Sequence, residues 1–352
     1  MVLNILKVFG LASFTFFIGI FLTPFVSHYL YKYKMWKKSA RTKALGGGEA
    51  VIFNRLHKEK EVNTPRMGGV IIWLSVLIVA LLFWVAVNIF PSDLASKINF
   101  LSRSQTWLPF FTLIAASVIG FADDILQVFG KGKYIAGGMG LAKRILLVIL
   151  IGAVGAYWFY FKLDVNSVFI PFFGDFYIGW PFILFFILVM LASFSGGVID
   201  GIDGLSGGVM ATIFASYGGI AFFQNQIDIA AFCAVLVGGI LAFLWFNIPP
   251  ARFYMGETGI LGLTTTLTVI AFLTEAVLVL PIIALPLVAT SLSDIIQIIS
   301  KKFFGRKVFL VAPLHHHFEA KGWPSYKVTM RYWILSVIFA IIGMVIVLIG
   351  KG

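Results

Sequence analysis

The chain has 352 residues, of which 60% are hydrophobic and 12% charged, and it carries a formal net charge of +12. A soluble domain is roughly half apolar and about a quarter charged. This chain therefore needs lipid as the solvent for much of its surface, and its positive charge reads as a membrane-topology signal, with no nucleic-acid partner expected.

Hydrophobic runs long enough to cross a bilayer begin with Val8–Ser27. One early charge, Lys7, precedes it and no small-residue cleavage site follows, which predicts a first span and not a removable signal peptide. Next come Gly69–Phe90, Ser104–Ala122, Ile145–Phe161, Ile178–Ile199, Leu205–Phe223, Ile229–Ile248, Thr258–Thr274, Ala276–Ser293 and Tyr332–Gly350, none containing a charged residue. The expected fold is an all-α integral membrane protein of about ten transmembrane helices, forming one polytopic domain over residues 1–352. Between the fourth and fifth spans, Val168–Trp180 carries two short aromatic and β-branched runs around Gly174-Asp175, predicting a small extracytoplasmic β-hairpin. Cys233, the single cysteine, lies within an apolar run and reads as a small buried hydrophobe.

Ten spans place both termini on one side and the loops 28–68, 123–144, 200–204, 249–257 and 294–331 on the other. Those five loops hold 22 of the 27 Lys and Arg residues, so they are expected to be cytoplasmic and the termini extracytoplasmic. They also hold ten of the fifteen carboxylates.

Four segments in these loops could carry chemistry. Asp123 and Asp124 are adjacent at a span end, where their repulsion would be relieved by a divalent cation or a shared proton; the alternative is a solvated pair ending a helix. Asp200 and Asp203 are three apart, which in a helical turn points both to one side; the alternative is a polar turn between spans. Glu257 lies between Gly256 and Gly259 just before a span, suited to metal or phosphate contact or to helix capping. His315, His316 and His317 could bind a pyrophosphate, transfer protons or bind a metal, or could have no role in an exposed loop. Carboxylates, cations and a base gathered on one membrane face are the parts that metal-assisted phosphoryl transfer requires.

At these residues the chain resembles the polyprenyl-phosphate phospho-sugar transferases. The resemblance runs from Thr64-Pro-Arg-Met-Gly-Gly69 through Asp123-Asp124 and Asp200-Gly-Ile-Asp203-Gly to the last span. Pro313-Leu-His-His-His317-Phe-Glu-Ala-Lys321-Gly-Trp323 is similar to the muramoyl-pentapeptide branch, and Phe243-Leu-Trp-Phe-Asn247 and Met330-Arg-Tyr-Trp-Ile334 agree with it. The resemblance implies transfer from UDP-N-acetylmuramoyl-pentapeptide to undecaprenyl phosphate, giving lipid I and UMP with Mg²⁺, in the cell membrane with the site on the cytoplasmic face. A homodimer is compatible with it. By position it implies Asp123 as the base for the lipid phosphate, supported by Asp124, and a metal held by Glu257 with these two aspartates. Asp200 is implied in catalysis, with nucleotide or pyrophosphate held by Asp200, Asp203 and Asn247. The donor's phosphates or uridine would meet His315, His316 and His317, and Lys60 is the nearest match to a substrate-binding lysine.

Three positions depart from the family pattern. Gly197 and Phe194 stand where asparagines are usual, and Glu257 stands where an aspartate is usual. A catalytically dead member is one rival reading. A relative acting on UDP-N-acetylglucosamine and a membrane transporter are the others.

Overall fold

A computed structural model describes residues 1–38, 62–89, 92–101, 104–130 and 137–351. Its helices are α1 (Val2–Lys32), α2 (Val70–Ile89), α3 (Asp93–Ile98), α4 (Ser104–Val128), α5 (Leu141–Lys162), α6 (Pro181–Ile199), α7 (Leu205–Phe223), α8 (Ile227–Asn247), α9 (Glu257–Leu273), α10 (Val277–Ile283), α11 (Leu285–Phe304), α12 (Leu314–Ala320) and α13 (Ser325–Gly350). All ten hydrophobic runs fall on helix. Among the described residues, eight helices are long and apolar enough to cross a membrane, nine if the bent pair α10–α11 counts as one span; α9, at 17 residues, is shorter.

The ninth predicted span is not one straight helix. α10 and α11 meet at an angle of 83°. Pro286, in the first turn of α11, has no N–H to continue the helical ladder, and Ala284 at the junction leaves helical geometry (φ −102°, ψ 27°). α11 then runs past Ser293 to Phe304. It exposes Leu292, Ile295, Ile296 and Ile299 and buries Asp294, Gln297 and Ser300, an inside-out amphipathicity suited to lipid.

α7, α8 and α9 form the centre. Every residue of α9 from Thr258 to Leu273 is buried. Two of its threonines satisfy their hydroxyls within the helix: Thr264 donates to the Ile260 carbonyl (2.9 Å) and Thr265 to that of Leu261 (2.8 Å). Small residues bring α4 and α9 together, since a side chain on Gly120 would overlap the Glu257 carbonyl and one on Gly262 would overlap Ser117. Such close packing is how helices gain attraction where lipid removes the hydrophobic drive. It also fixes the acidic end of α4 against the start of α9.

The predicted hairpin is present as β1 (Ser167–Ile170) and β2 (Gly174–Tyr177), antiparallel, with Val168 opposite Phe176. Its turn is Pro171-Phe172-Phe173, and Gly174-Asp175 begins the second strand.

Candidate active site

Asp123 and Asp124 lie inside α4, about one turn before its end, and are 1% and 0% exposed. That removes the reading of a solvated pair. Asp123 accepts hydrogen bonds from Gln127 Nε2 (2.9 Å) and the Met139 N–H, and Arg144 Nη2 lies 2.6 Å from its Oδ2. Arg144 also reaches Glu257, with Nη1 2.5 Å from Oε1. One guanidinium at the start of α5 thus joins the acid of α4 to the acid that opens α9.

Asp124 Oδ2 accepts the Thr258 N–H (2.9 Å), in the first turn of α9. Asp124 Oδ1 is buried with no hydrogen-bond partner among the described residues; Arg66 Nε stands 3.7 Å away. The segment carrying Arg66 is fixed by backbone pairing: Tyr254 N–H donates to Pro65, Gly68 N–H to Tyr254 and Gly69 N–H to Met255, at 2.8–2.9 Å. The Thr-Pro-Arg-Met-Gly-Gly motif therefore docks one cation beside Asp124.

Asp200 and Asp203 do not sit in a helical turn. A short 3-10 segment, Gly196–Ile199, ends at Asp200 (φ −76°, ψ 65°), and non-helical turn geometry follows to Gly204. The two acids engage different groups. Asp200 accepts Ser206 Oγ–H (2.8 Å) and the Gly256 N–H (3.0 Å), whereas Asp203 accepts the Ala251 N–H (3.3 Å). Lost hydration raises the Asp200 pKa above its ordinary value; Ser206, Arg66 and the Gly256 N–H oppose this, and the nearby Glu257 charge adds to it. Asn247 is buried and clamps this turn, accepting the Gly204 N–H (3.0 Å) and donating to the Phe253 carbonyl (2.8 Å). Gly197 faces the Ile260 side chain, so its position supplies no polar group.

The histidines occupy α12. His315 and His316 are buried, their rings 4.2 Å apart, and a side chain on Gly201 would meet both. They therefore adjoin the Asp200–Asp203 turn. His316 Nδ1 is 2.6 Å from Glu319 Oε2, and Ser325 donates to the other Glu319 oxygen (2.5 Å). This partnership fixes the ring and directs Nε2 toward Gly201. His317 stands apart, with Nδ1 accepting the Leu310 N–H (3.2 Å); burial and the Lys321 charge lower its pKa.

Of the predicted residues, Asp123, Asp124, Asp200, Asp203, Asn247, Glu257, His315 and His316 converge at one end of the bundle, and Lys60 lies outside the described residues. Arg66, Arg144, Ser206 and Glu319 are additional members. The clustering of Lys and Arg in the acid-bearing loops was the sequence signal for the two arginines.

Residues 106–275 match Glycosyl transferase family 4, a stretch running from α4 to just beyond α9 that contains Asp123, Asp124, Asp200, Asp203 and Glu257. Phospho-N-acetylmuramoyl-pentapeptide-transferase of Geobacillus thermodenitrificans is 34% identical over 292 residues, covering 82% of this chain and 85% of that protein. The enzyme of the same name from Listeria innocua is 34% identical over 294 residues, 82% and 86% of the two chains. That of Latilactobacillus sakei is 32% identical over 339 residues, 93% and 99%. The chain belongs to the phospho-N-acetylmuramoyl-pentapeptide-transferase family. The resemblance read from the motifs is borne out, and in this member of the family Glu257 holds its place in the cluster through Arg144.

Among the described residues, no three His, Cys, Asp or Glu side chains are gathered into a ready cage for a metal ion. Mg²⁺ needs no such cage, because it keeps several waters and is held by one or two carboxylates plus substrate phosphates. The buried, unbonded Oδ1 of Asp124 suits that mode. Glu257, the most exposed of the three candidate ligands (22%), suits it too, while Asp123 has both oxygens engaged.

Proposed function

We propose that the chain transfers phospho-N-acetylmuramoyl-pentapeptide from its UDP-linked donor to undecaprenyl phosphate, releasing UMP and forming lipid I in peptidoglycan synthesis. The observation that carries this reading is the convergence of Asp124, Asp200, Glu257, Arg66, Arg144 and the histidine helix at one end of an apolar bundle. A soluble nucleotide can meet a lipid phosphate there. The surplus of Lys and Arg in the sequence of the acid-bearing loops supports reading that end as the cytoplasmic face of the cell membrane, with both termini outside.

In this reading Asp123 takes the proton from the lipid phosphate. Asp124 and Glu257 hold Mg²⁺ with Asp200 close by, and Mg²⁺, when bound, neutralises charge on the transferred phosphoryl group. Asp203 and Asn247 shape the nucleotide end of the cleft. His315 and His316 face the donor's phosphates across Gly201, with His317 further out on the donor side, and Lys60 is assigned to substrate binding by its place in the sequence alone. Arg66 supplies fixed positive charge beside Asp124.

The deciding experiment incubates purified protein with a polyprenyl phosphate, Mg²⁺ and either UDP-N-acetylmuramoyl-pentapeptide or UDP-N-acetylglucosamine, and follows UMP release. UMP is expected from the first donor only. Product from the second alone would move the chain to the other branch. Flux of a nucleotide-sugar into proteoliposomes without UMP would make it a transporter.

Arg144 yields a separate expectation. Arg144→Gln removes the cation shared by Asp123 and Glu257, leaving two carboxylates without it. The Mg²⁺ concentration giving half-maximal UMP release should change, because a free cation no longer competes with a tethered guanidinium, and maximal turnover should fall as Asp123 loses its fixed geometry. Unchanged Mg²⁺ titrations and turnover would assign Arg144 a purely structural part.

A further inference from the structure

The hairpin lies across the membrane from the acids. α5 carries Arg144 in its first turn and runs 22 residues to Lys162. At about 1.5 Å per residue that is roughly 33 Å, the thickness of a hydrocarbon core. β1 and β2 follow directly, and α6 then returns to Asp200. The hairpin therefore sits at the opposite membrane surface, beyond the ends of the spans.

An unusual amount of aromatic surface is left uncovered there. Phe172, Phe173, Phe176, Tyr177 and Trp180 are 64, 87, 60, 70 and 71% exposed. The hairpin does not project freely. The Phe172 N–H donates to the Gly350 carbonyl (3.1 Å) at the end of α13, and the Lys351 ammonium lies 5.4 Å above the Phe169 ring while pairing with Glu275 (2.5 Å). These ties hold it level with the end of the last span. Phe172 also has φ +70°, a left-handed conformation that favours glycine or asparagine. With most of its ring exposed, little packing within the chain offsets that strain.

We propose that this hairpin is an interfacial anchor whose aromatic rings enter the headgroup region of the outer leaflet. Phospholipid is the occupant for two reasons. The patch continues the lipid-facing surface of α5 and α13, where Tyr157, Phe161 and Ile349 are exposed. Its Tyr, Trp and flanking Lys162 and Lys351 also match the side chains enriched at membrane–water boundaries. The inference depends on the chain spanning a membrane and not on the reaction it performs.

The test places a nitroxide at Phe173→Cys, and in a separate protein at Asp175→Cys. Cys233 is fully buried and should not label. Each protein is reconstituted in nanodiscs of phosphatidylethanolamine and phosphatidylglycerol, with an unchanged thermal midpoint confirming the fold. At position 173, collision with oxygen should exceed collision with a water-soluble nickel chelate several-fold, and at 175 the order should reverse. Equal nickel accessibility at both positions would mean that the rings stand in water. Exclusion of both reagents at 173 would mean that protein covers them. Either result overturns the anchor.

Discussion

Asp123→Asn, Asp124→Asn and Asp200→Asn are each expected to lower Mg²⁺-dependent UMP release by at least about a hundredfold, ~2.7 kcal/mol of transition-state stabilisation. The three losses should differ in their side effects. At Asp124, asparagine can keep its carbonyl on the Thr258 N–H while placing an amide donor toward Arg66, so charge is lost with little rearrangement. At Asp200 two donors, Ser206 and the Gly256 N–H, each use a separate carboxylate oxygen. Asparagine offers only one acceptor, and a stranded buried donor costs roughly 1–3 kcal/mol. Asp200→Asn should therefore also lower the thermal midpoint, and Asp124→Asn much less. At Asp123 the amide must face either Arg144 or Met139, both donors, so the α4–α5 junction should loosen. Wild-type turnover in all three proteins would remove this cluster as the active site. Equal thermal losses in all three would mean that the substitutions report on folding alone.

Local patterning carried the helices and left the tertiary pairings unread. Each hydrophobic run marks a helix because lipid demands it. The break in the ninth run was not read from the sequence, although Pro281 and Pro286 lie in it; its angle depends on what α11 packs against. Ending the third run at Ala122 followed hydropathy, which cannot tell an acid inside a helix from one beyond it. Asp123 and Asp124 continue α4 because Thr258, Gln127, Met139 and Arg144 satisfy them, and those partners come from as far as 134 residues away. The i, i+3 spacing of Asp200 and Asp203 suggested a shared direction, but Gly201 and Gly204 admit a turn in which Asp200 meets Ser206 and the Gly256 N–H while Asp203 meets the Ala251 N–H, at the other end of the loop 249–257. Glu257 was legible as a site residue. Its tie to Arg144 was not, since neither residue's neighbours in sequence record the other.

Gly256→Ala is expected to abolish UMP release almost as fully as loss of Asp124, although the substitution adds only one methyl group. Gly256 has φ +71° and ψ 178°, a region essentially reserved for glycine, where other residues cost roughly 1–3 kcal/mol. Its N–H holds Asp200, and the glycine lies against the carboxylate of Asp124: a Cβ there would overlap Oδ2 and stand 3.0 Å from Cγ. Thr258 and the buried wall of α4 and α9 leave Asp124 little room to retreat. The methyl group must then displace either Asp124 or the Gly256 N–H that positions Asp200, separating the two acids that face one another across this residue. Gly305→Ala is the matched control. Gly305 also has a positive φ (+64°), at the end of α11, but a Cβ there meets nothing within 4 Å. It should cost about 1 kcal/mol of stability and leave turnover intact. Thermal unfolding and UMP release measured on both proteins separate backbone strain from displacement of the acids. If Gly256→Ala turns over normally, the close fit around Asp124 is not what the reaction depends on.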